Sequence, residues 1–293
     1  MATADAAREF DARRPRLRSV AYRILGSLAD ADDAVQEAWL RLQRADPAQV
    51  DDLDAWLTTT VARICLNMIR DRSRHPTAPL DAFRPEPIVS AEAHTDPEQE
   101  ALLADAVGIS MQVVLDTLTP AERIAFVLHD MFAVPFSQIA AMVDRSPDAT
   151  RQLASRARRR VRAAAPAPDP DLQRQRELVN AYFAAAREGD LEALIAVLDP
   201  DVVLRAHRRD GPPQELHGAA QVAPGAMAAR RFAPLVRPAL VNGTAGVVAF
   251  DGDRPFAVLA FTVVAGRVAA IDVYNDPEPV PRLIAAETEQ FLS

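Results

Sequence analysis

Lysine is absent from this 293-residue sequence, and cysteine occurs once, at Cys65. One cysteine excludes an internal disulfide framework and a cysteine-rich zinc site. The five histidines show neither HxxxH nor HExxH spacing, so we expect no metal site and no cofactor. No apolar run approaches the roughly 18 residues of a membrane helix, and the first residues lack the apolar core of a signal peptide. We therefore expect a soluble, cytoplasmic protein with no membrane partner.

Arginine supplies all 33 basic residues, and together with the abundant alanine this indicates the codon bias of a GC-rich genome. Arginine usage alone is therefore no sign of nucleic-acid binding, and a formal net charge of -8 argues against a uniformly basic surface. The distribution of charge is more informative. Residues 30–54 carry eight acids and two arginines, whereas residues 145–162 carry seven arginines and one acid. Opposite charges are thus sorted onto different segments.

Proline-rich linkers divide the chain into three domains. With 49% apolar and 25% charged residues, the composition is that of an ordinary globular protein of several domains. The predicted domains span residues 1–74, 98–163 and 171–293, and the linkers span 75–97 and 164–170. Apolar residues recur at helical spacing in the first two domains, whereas the third has two helices followed by strand-like runs. The predicted fold class is two all-α modules, a helical bundle and a helix-turn-helix, followed by an α+β domain with an antiparallel curved sheet.

The second predicted helix presents an acidic face. Ser27 or Asp30 is the expected N-cap of this helix, and Asp54 is the expected N-cap of the third helix. Val35 and Trp39 point inward, which leaves polar side chains exposed at helical spacing. These are Asp32, Asp33, Gln36 and Glu37. Such a face gives no advantage in binding phosphates, so we expect it to bind a protein partner with a basic helix.

The third predicted helix and its exit carry a basic, amide-bearing side. Its members are Arg63, Asn67, Arg70, Arg72 and Arg74. Asn67 is suited to hydrogen-bond the edge of an extruded base, and the arginines are suited to hold the phosphates of a separated strand. An ordinary charged helix without such a role is the competing interpretation.

Residues 136–162 have the pattern of a helix-turn-helix. A short helix with Ile139 and Val143 inward is followed by a tight turn at 144–146 and a longer arginine-rich helix. The N-terminal residues of the longer helix are placed to contact bases, and its later residues to contact phosphates. The residues expected to contact DNA are Ser146, Thr150, Arg151, Gln152, Ser155, Arg156, Arg159 and Arg160. The competing interpretation is a solvated cationic helix end that complements the helix dipole.

Three stretches of the chain resemble a known family. They read LRSVAYRILGSLADADDAVQEAWLRL, WLTTTVARICLNMIRDR and LTPAERIAFVLHDMFAVPFSQIAAMVDRSPDATRQLASRARRRV. The chain resembles extracytoplasmic-function (ECF) RNA polymerase sigma factors with a fused SnoaL-like C-terminal domain, the SigJ type. FRPEPIVS at 83–90 also resembles the WLPEP-type motif between the domains of this group, with Phe83 and Arg84 in place of tryptophan and leucine. The resemblance covers essentially the whole chain.

The resemblance implies a role for each helical surface. The first domain would be sigma domain 2, with its acidic face on the clamp helices of the β′ subunit of core RNA polymerase. The third helix would open and read the minus-ten element of promoter DNA, with Asn67 at the position that holds a flipped base. The helix-turn-helix would be sigma domain 4, which reads the minus-thirty-five element and contacts the β flap.

The third domain resembles the SnoaL-like members of the NTF2-like cone fold, which also host enzymes. The polar candidates for a pocket are Arg205, His207, His217, Asp272 and Tyr274. The competing interpretation, which we adopt, is a regulatory fold without catalysis. Two departures from the group favour it. Residues 207–211 read HRRDG where the group has DGGG, and residues 274–283 read YNDPEPVPRL where the group has NPDKL.

The sequence thus predicts a sigma factor that directs promoter-specific transcription initiation and is regulated in cis by its C-terminal domain. We expect that domain to bridge the two helical modules and to hold the FRPEPIVS segment beneath it. Two other functions stay open: a ligand-sensing helix-turn-helix regulator that acts without polymerase, and a SnoaL-like enzyme fused to a DNA-binding module. A small-molecule ligand of the C-terminal domain is also left open.

Overall fold

The computed structural model describes residues 3–45, 52–74, 86–91, 109–164, 168–207 and 214–275, together with residues 280 and 291. These residues form two compact units. The first unit holds the described residues up to 86 and those from 111 to 164, and the second holds residues 87–91, 109–110 and those from 168 onward. Much of the predicted linker at 75–97 and of the two departures from the resembled group lies outside the described residues.

Three helices form the first helical module. They are α1 (Thr3–Leu25), α2 (Leu28–Arg44) and α3 (Leu53–Arg74). Apolar side chains at helical spacing meet in its interior, and Ile24 and Leu57 are among those fully removed from solvent. The bundle predicted from the sequence is confirmed.

Short polar side chains set where α2 and α3 begin. Ser27 caps α2, because its Oγ accepts a hydrogen bond from the Asp30 N–H at 3.3 Å. The prediction of Asp54 as the cap of α3 is wrong. The Oδ1 atom of Asp52 accepts from the Ala55 N–H at 3.0 Å, which leaves Asp54 inside the first turn of the helix.

The described part of the second helical module contains α4 (Ile109–Asp116), α5 (Pro120–Phe126), α6 (Phe136–Val143) and α7 (Pro147–Ala164). A π-helical turn, Val127–Met131, continues directly from α5 and has no signal in the sequence pattern. The tight turn between α6 and α7 is present as expected. It starts at Asp144, which takes a left-handed φ of 55° and ends α6.

The second unit packs helices against a seven-stranded sheet formed by its described strands. The helices are α8 (Leu172–Glu188), α9 (Leu191–Val197) and α10 (Ala219–Ala228), and a 3-10 turn spans Arg230–Leu235. The strands are β1 (Val89–Ala91), β2 (Leu198–His207), β3 (Gln214–His217), β4 (Val236–Val241), β5 (Thr244–Asp251), β6 (Arg254–Val264) and β7 (Arg267–Tyr274). They lie in the order β1-β4-β5-β6-β7-β2-β3.

The sheet differs from the sequence-based expectation in two ways. It is mixed rather than antiparallel, because β2 runs parallel to β7, with Leu204 opposite Ile271. Its edge strand β1 comes from the segment predicted to be linker, and pairs antiparallel with β4. The fold class itself, two helical modules followed by an α+β domain, is confirmed.

The helices α8–α10 cover an aromatic core on one face of this sheet. Phe261 of β6 is 1% exposed, and its ring centroid lies 5.4 Å from that of Tyr182 and 5.9 Å from that of Phe183. Burial raises the pKa of the Tyr182 hydroxyl. The described helices include none with both the length and the apolar character required to cross a membrane.

Candidate nucleic-acid and polymerase surfaces

The exposed side of α7 carries most of the predicted DNA-contacting residues. Ala154, Ala157 and Val161 are buried within the module, so the opposite side of the helix faces solvent. Six predicted side chains are exposed there: Arg151, Gln152, Ser155, Arg156, Arg159 and Arg160. Ser146 is exposed just before the helix, and its Oγ accepts from the Ala149 N–H at 3.2 Å. The helix therefore presents a cationic stripe of the kind that enters a DNA groove.

Thr150 does not belong to this stripe, which corrects the sequence-based set. It is 0% exposed, and its Oγ1 donates to the carbonyl of Ser146 at 3.0 Å. Thr150 lies one turn before Ala154 on the inward side, where a bond to the i−4 carbonyl satisfies its hydroxyl. We therefore remove Thr150 from the DNA-contacting residues.

Two arginines of α7 are tied to the fold through acidic partners on other elements. Nη1 of Arg160 lies 3.0 Å from Oε2 of Glu122, whose side chain is only 6% exposed. Nε of Arg158 donates to Oδ1 of Asp130 at 2.8 Å. Glu122 also completes the capping box of α5 with Thr119. Arg160 therefore pairs with a carboxylate that already stabilises the first turn of this helix.

The other predicted arginines of α7 are not paired with acids on other described elements. Nη1 of Arg151 lies 2.5 Å from Oδ1 of Asp148 within the first turn, and its guanidinium lies 5.5 Å from the Phe136 ring centroid. Arg156 and Arg159 make no ion pair with any residue that the structure describes. These two side chains are therefore the most available to phosphates.

The acidic face of α2 is exposed at its centre. Asp33 and Gln36 point to solvent, whereas Asp32 makes two hydrogen bonds with Arg18, at 2.6 and 3.0 Å. Glu37 pairs one turn along the helix with Arg41 at 2.9 Å. The four predicted residues thus share one side of the helix, but two of them are partly neutralised by arginines of the same module.

Leu40 is an exposed apolar residue that sequence reasoning missed. Its side chain is 37% exposed, and it lies one turn beyond Gln36 on the acidic face of α2. The signal was present in the sequence, because Leu40 follows Asp33 by seven residues and therefore lies above it on the helix. An exposed apolar side chain beside polar ones is typical of a protein-binding surface.

The basic side of α3 is only partly assembled as predicted. Arg63, Asn67, Arg70 and Arg74 recur at helical spacing along one side; Arg63 and Asn67 are exposed, Arg70 is half-buried, and the side chain of Arg74 lies outside the described part. Arg72 projects from another side and pairs with Asp30 of α2. Arg72 therefore joins two helices of the module rather than extending the stripe.

Four of the five predicted pocket residues meet in the second unit. The parallel register of β2 and β7 sets Arg205 opposite Asp272 and His207 opposite Tyr274. Nε2 of His207 lies 3.0 Å from Oδ1 of Asp272, and the imidazole stacks on the Tyr274 ring with centroids 4.3 Å apart. Nη1 of Arg205 lies 3.6 Å from the same Asp272 oxygen. We call these four residues the strand cluster.

The fifth residue, His217, is separate from the strand cluster. Its side chain is 64% exposed, and its Nε2 lies 3.2 Å from Glu215, which in turn lies 3.4 Å from Nε of Arg205. His217 thus touches the cluster only through an exposed carboxylate, and its placement in a pocket with the others is wrong.

The strand cluster is packed rather than open. His207 is 2% and Asp272 is 1% exposed, so no substrate has access to the pair. A small open cleft in this unit is lined instead by Arg176, Asn180, Pro238 and Gly246, with three apolar neighbours. The cluster contributes no residue to that cleft. The geometry is that of a buried ionic network that joins two strands.

The linker segment is hydrogen-bonded at both of its described ends. Within the first unit, the N–H of Glu86 donates to the carbonyl of Gly26 at 2.8 Å, and Tyr22 Oη donates to the carbonyl of Glu86 at 2.6 Å. Within the second unit, the N–H of Ile88 donates to Oδ1 of Asn242 at 2.7 Å, and the N–H of Asn242 donates back to the carbonyl of Ile88 at 2.8 Å. Strand β1 begins at Val89, the residue after this pair of hydrogen bonds.

Comparison with known proteins gives consistent matches. The family model for Sigma-70 region 2 matches residues 10–75, and the model for Sigma-70 region 4 matches residues 109–161. The chain is 39% identical over 284 residues to the ECF RNA polymerase sigma factor SigJ of Mycobacterium tuberculosis strain H37Rv, over 91% of each chain. It is 33% identical over 275 residues, 94% of each chain, to the probable ECF sigma factor SigI of Mycobacterium tuberculosis strain CDC 1551. The crystal structure of SigJ superposes with a TM-score of 0.76 at 36% identity, over 93% of this chain and 97% of that one.

Proposed function

This chain belongs to the extracytoplasmic-function sigma factors of RNA polymerase, and on that premise we propose which of its surfaces binds polymerase and which binds DNA. It directs promoter-specific transcription initiation, and sigma factors of this family bind core RNA polymerase and promoter DNA. One observation carries the assignment of surfaces. Asp33, Gln36 and Leu40 are exposed side by side on α2, whereas the exposed stripe of α7 carries Arg151, Arg156, Arg159 and Arg160.

The acidic face of α2 is the proposed docking surface for the clamp helices of the β′ subunit. Asp33 and Gln36 are exposed at its centre, and Leu40 adds exposed apolar area one turn beyond Gln36. Complementary charge speeds docking and selects the partner more than it adds affinity. The second helical module is proposed to contact the β flap.

Reversing two charges on this face tests the assignment. Asp33→Arg together with Glu37→Arg is expected to weaken binding to core RNA polymerase at least about tenfold, because like charges across a docking surface repel each other. The free energy of unfolding should change by only about 1 kcal/mol, since both side chains are on the surface. Affinity is measured by fluorescence anisotropy or pull-down with purified core enzyme.

The matched control is Asp251→Arg together with Asp253→Arg. These acids are exposed at the end of β5 and in the turn that follows it, so the net charge changes by the same amount in the other unit. Equal affinities for the two double variants would show that only net charge matters and would remove α2 from the polymerase surface.

The cationic stripe of α7 is the proposed reader of the minus-thirty-five element. Gln152 lies in the N-terminal part of the helix, where base contacts are made, and Arg159 lies two turns further along, where phosphates are contacted. Arg160 is a poor test residue, because its loss would also disturb the carboxylate of Glu122.

Gln152→Ala and Arg159→Ala are expected to separate specificity from affinity. Gln152→Ala should cost about 1 to 3 kcal/mol on the preferred upstream element and little on altered elements, because a bidentate base contact is lost. Arg159→Ala should weaken binding to all sequences and reduce the salt dependence by about one phosphate. Binding of the polymerase holoenzyme is measured on a panel of promoters at several salt concentrations. Gln138→Ala on α6, also exposed, is the control, and a uniform loss for Gln152→Ala would contradict base reading.

The stripe of Arg63, Asn67 and Arg70 on α3 is the proposed contact with the minus-ten element. Asn67 is exposed and carries a donor and an acceptor, which matches the edge of a flipped base. Arg72 is left out of this role, because it pairs with Asp30.

The C-terminal domain is the proposed regulator in cis, and β1 supports this. The same short linker between the two helical modules is bonded at Glu86 in the first unit and forms an edge strand of the sheet in the second. A rearrangement of the sheet at β4 would therefore alter the position of the linker, which pairs with it as β1. We propose no catalysis for this domain, because its buried His207–Asp272 pair is closed to substrate and its exposed histidine, His217, lies outside the cleft. Run-off transcription with core polymerase, comparing the full chain with one ended at Ala165, tests the regulation.

A further inference from the structure

The last turn of α1 receives hydrogen bonds from side chains of the second helical module. Nη1 of Arg123 on α5 donates to the carbonyl of Ile24 at 3.0 Å, and Nε2 of Gln112 on α4 donates to the carbonyl of Arg23 at 3.3 Å. Both donor residues are buried, at 5% and 1% exposure. The last four carbonyls of a helix have no partner within the helix, and a cation is favoured at that end. One module thus caps a helix of the other.

The first helical module also caps a helix of the second. Nη2 of Arg63 on α3 donates to the carbonyl of Ala141 at 3.3 Å, in the last turn of α6. The guanidinium of Arg23 lies 5.2 Å from the ring centroid of Phe132, just after the π-helical turn. Each helical module therefore supplies an arginine to a helix end of its neighbour within the first unit.

We propose that these reciprocal helix caps form a latch that holds the two helical modules closed, with Arg63 serving both the latch and the promoter. The latch consists of Arg123, Gln112, Arg63 and the contact of Arg23 with Phe132. The part concerning promoter DNA rests on the proposed function of α3. The Nη2 donor of Arg63 that bonds the carbonyl of Ala141 is not available to a phosphate at the same time, so closing the latch and contacting the minus-ten strand compete for this side chain.

The caps are suited to reversible opening. On opening, water replaces the donors at the carbonyls of α1 and α6, so each bond contributes a modest net free energy rather than its full strength. A partner that binds only the open form has its affinity reduced by the fraction of molecules that are open. Weakening the latch should therefore strengthen binding to core RNA polymerase without any change at the acidic face of α2.

The test measures opening in the full chain without polymerase or DNA. Spin labels are attached at Gln43→Cys and Ala163→Cys, both exposed positions, one in each helical module. Cys65 is 0% exposed and burial raises the pKa of its thiol, so it stays unlabelled in the folded protein. Double electron-electron resonance then gives the distribution of distances between the two labels.

Two latch variants are compared with one control. Arg123→Met with Gln112→Met keeps side-chain volume but removes both donors to α1, and Arg63→Met removes the donor to α6 while leaving the buried contacts in place. Arg145→Met is the control, because the guanidinium of this exposed arginine donates to the carbonyl of the adjacent Asp144, within the same helical module. Circular dichroism and tryptophan fluorescence confirm that each variant is folded.

We expect a narrow distance distribution for the parent and the control, and a broad distribution extending to longer distances for both latch variants. The double variant should bind core polymerase about tenfold more tightly than the parent. Distributions as narrow as the parent's in both latch variants would overturn the latch. If neither the parent nor any variant bound core polymerase, the proposed function would fail instead, and the distances alone would still decide on the latch.

Discussion

Asn242→Gly is expected to free the linker strand β1 from the C-terminal sheet and to raise hydrogen exchange at residues 88–91 by roughly tenfold to a hundredfold. The variant removes the side-chain oxygen that accepts from the Ile88 N–H, and Ile88 is only 4% exposed. A buried N–H without its acceptor costs about 1 to 3 kcal/mol. Glycine keeps the positive φ of 49° that this position requires, so the turn between β4 and β5 stays intact. Exchange is measured by mass spectrometry of peptides that cover the linker.

Two further variants separate the hydrogen bond from Ile88 to the Asn242 side chain from the backbone conformation of the turn between β4 and β5. Asn242→Asp keeps an acceptor oxygen and tolerates the left-handed backbone, so slow exchange should be retained. Asn242→Ala adds backbone strain of about 1 to 2 kcal/mol and should also speed exchange in β4 and β5. Identical exchange at residues 88–91 in the parent and all three variants would mean that the side chain of Asn242 does not hold the linker.

The released linker should also change transcription. If the C-terminal domain acts through β1, run-off transcription by the Asn242→Gly holoenzyme should shift in the same direction as that of the chain ended at Ala165. A shift in the opposite direction, with β1 released, would separate the domain's effect from the linker.

Phe261→Ala is expected to cost the second unit about 3 to 5 kcal/mol, because the buried ring leaves a cavity among Tyr182 and Phe183. Phe256→Ala is the control, since Phe256 is half-buried and pairs with Phe232 at 5.5 Å. Urea unfolding followed by far-ultraviolet circular dichroism should show an early transition for Phe261→Ala only.

The two tryptophans allow unfolding of the first unit to be followed separately in the same experiment. Trp39 and Trp56 both lie in the first unit, so tryptophan fluorescence reports that unit alone. Its midpoint should stay with the parent's when Phe261 is replaced. A fluorescence midpoint that moved as far as the circular dichroism transition would show that the two units unfold together.

Local patterns carried most of the helical prediction. Ser27, Thr119 and the turn at Asp144 act through bonds to residues three to five positions away, so their signal lies within a short window of sequence. Asp54 and Thr150 were misplaced by small offsets. A neighbouring aspartate two residues earlier made the cap of α3, and the inward side of α7 was one residue wider than its apolar members indicated.

The sheet and the strand cluster depended on pairing between distant residues. Val89 pairs with Val241, and the parallel pairing of β2 with β7 sets Arg205 beside Asp272. Nothing in the residues of one strand specifies its neighbour or whether they run parallel. The sequence therefore named Arg205, His207, Asp272 and Tyr274 only as polar candidates for a pocket, together with His217, which lies apart. Their burial, and the recruitment of the linker as an edge strand, became visible only in the folded chain.

The bond between Arg160 and Glu122 has a consequence for how promoter preference can diverge among related proteins. Glu122 lies in the first turn of α5 and is buried, so a substitution at Arg160 that changed DNA binding would also weaken the module. Gln152, Arg156 and Arg159 lie on the same stripe with no ion pair in the described chain. Mutations can accumulate at these three positions at little cost in stability. After gene duplication, new promoter preferences should therefore arise there first, while Arg160 changes only together with Glu122.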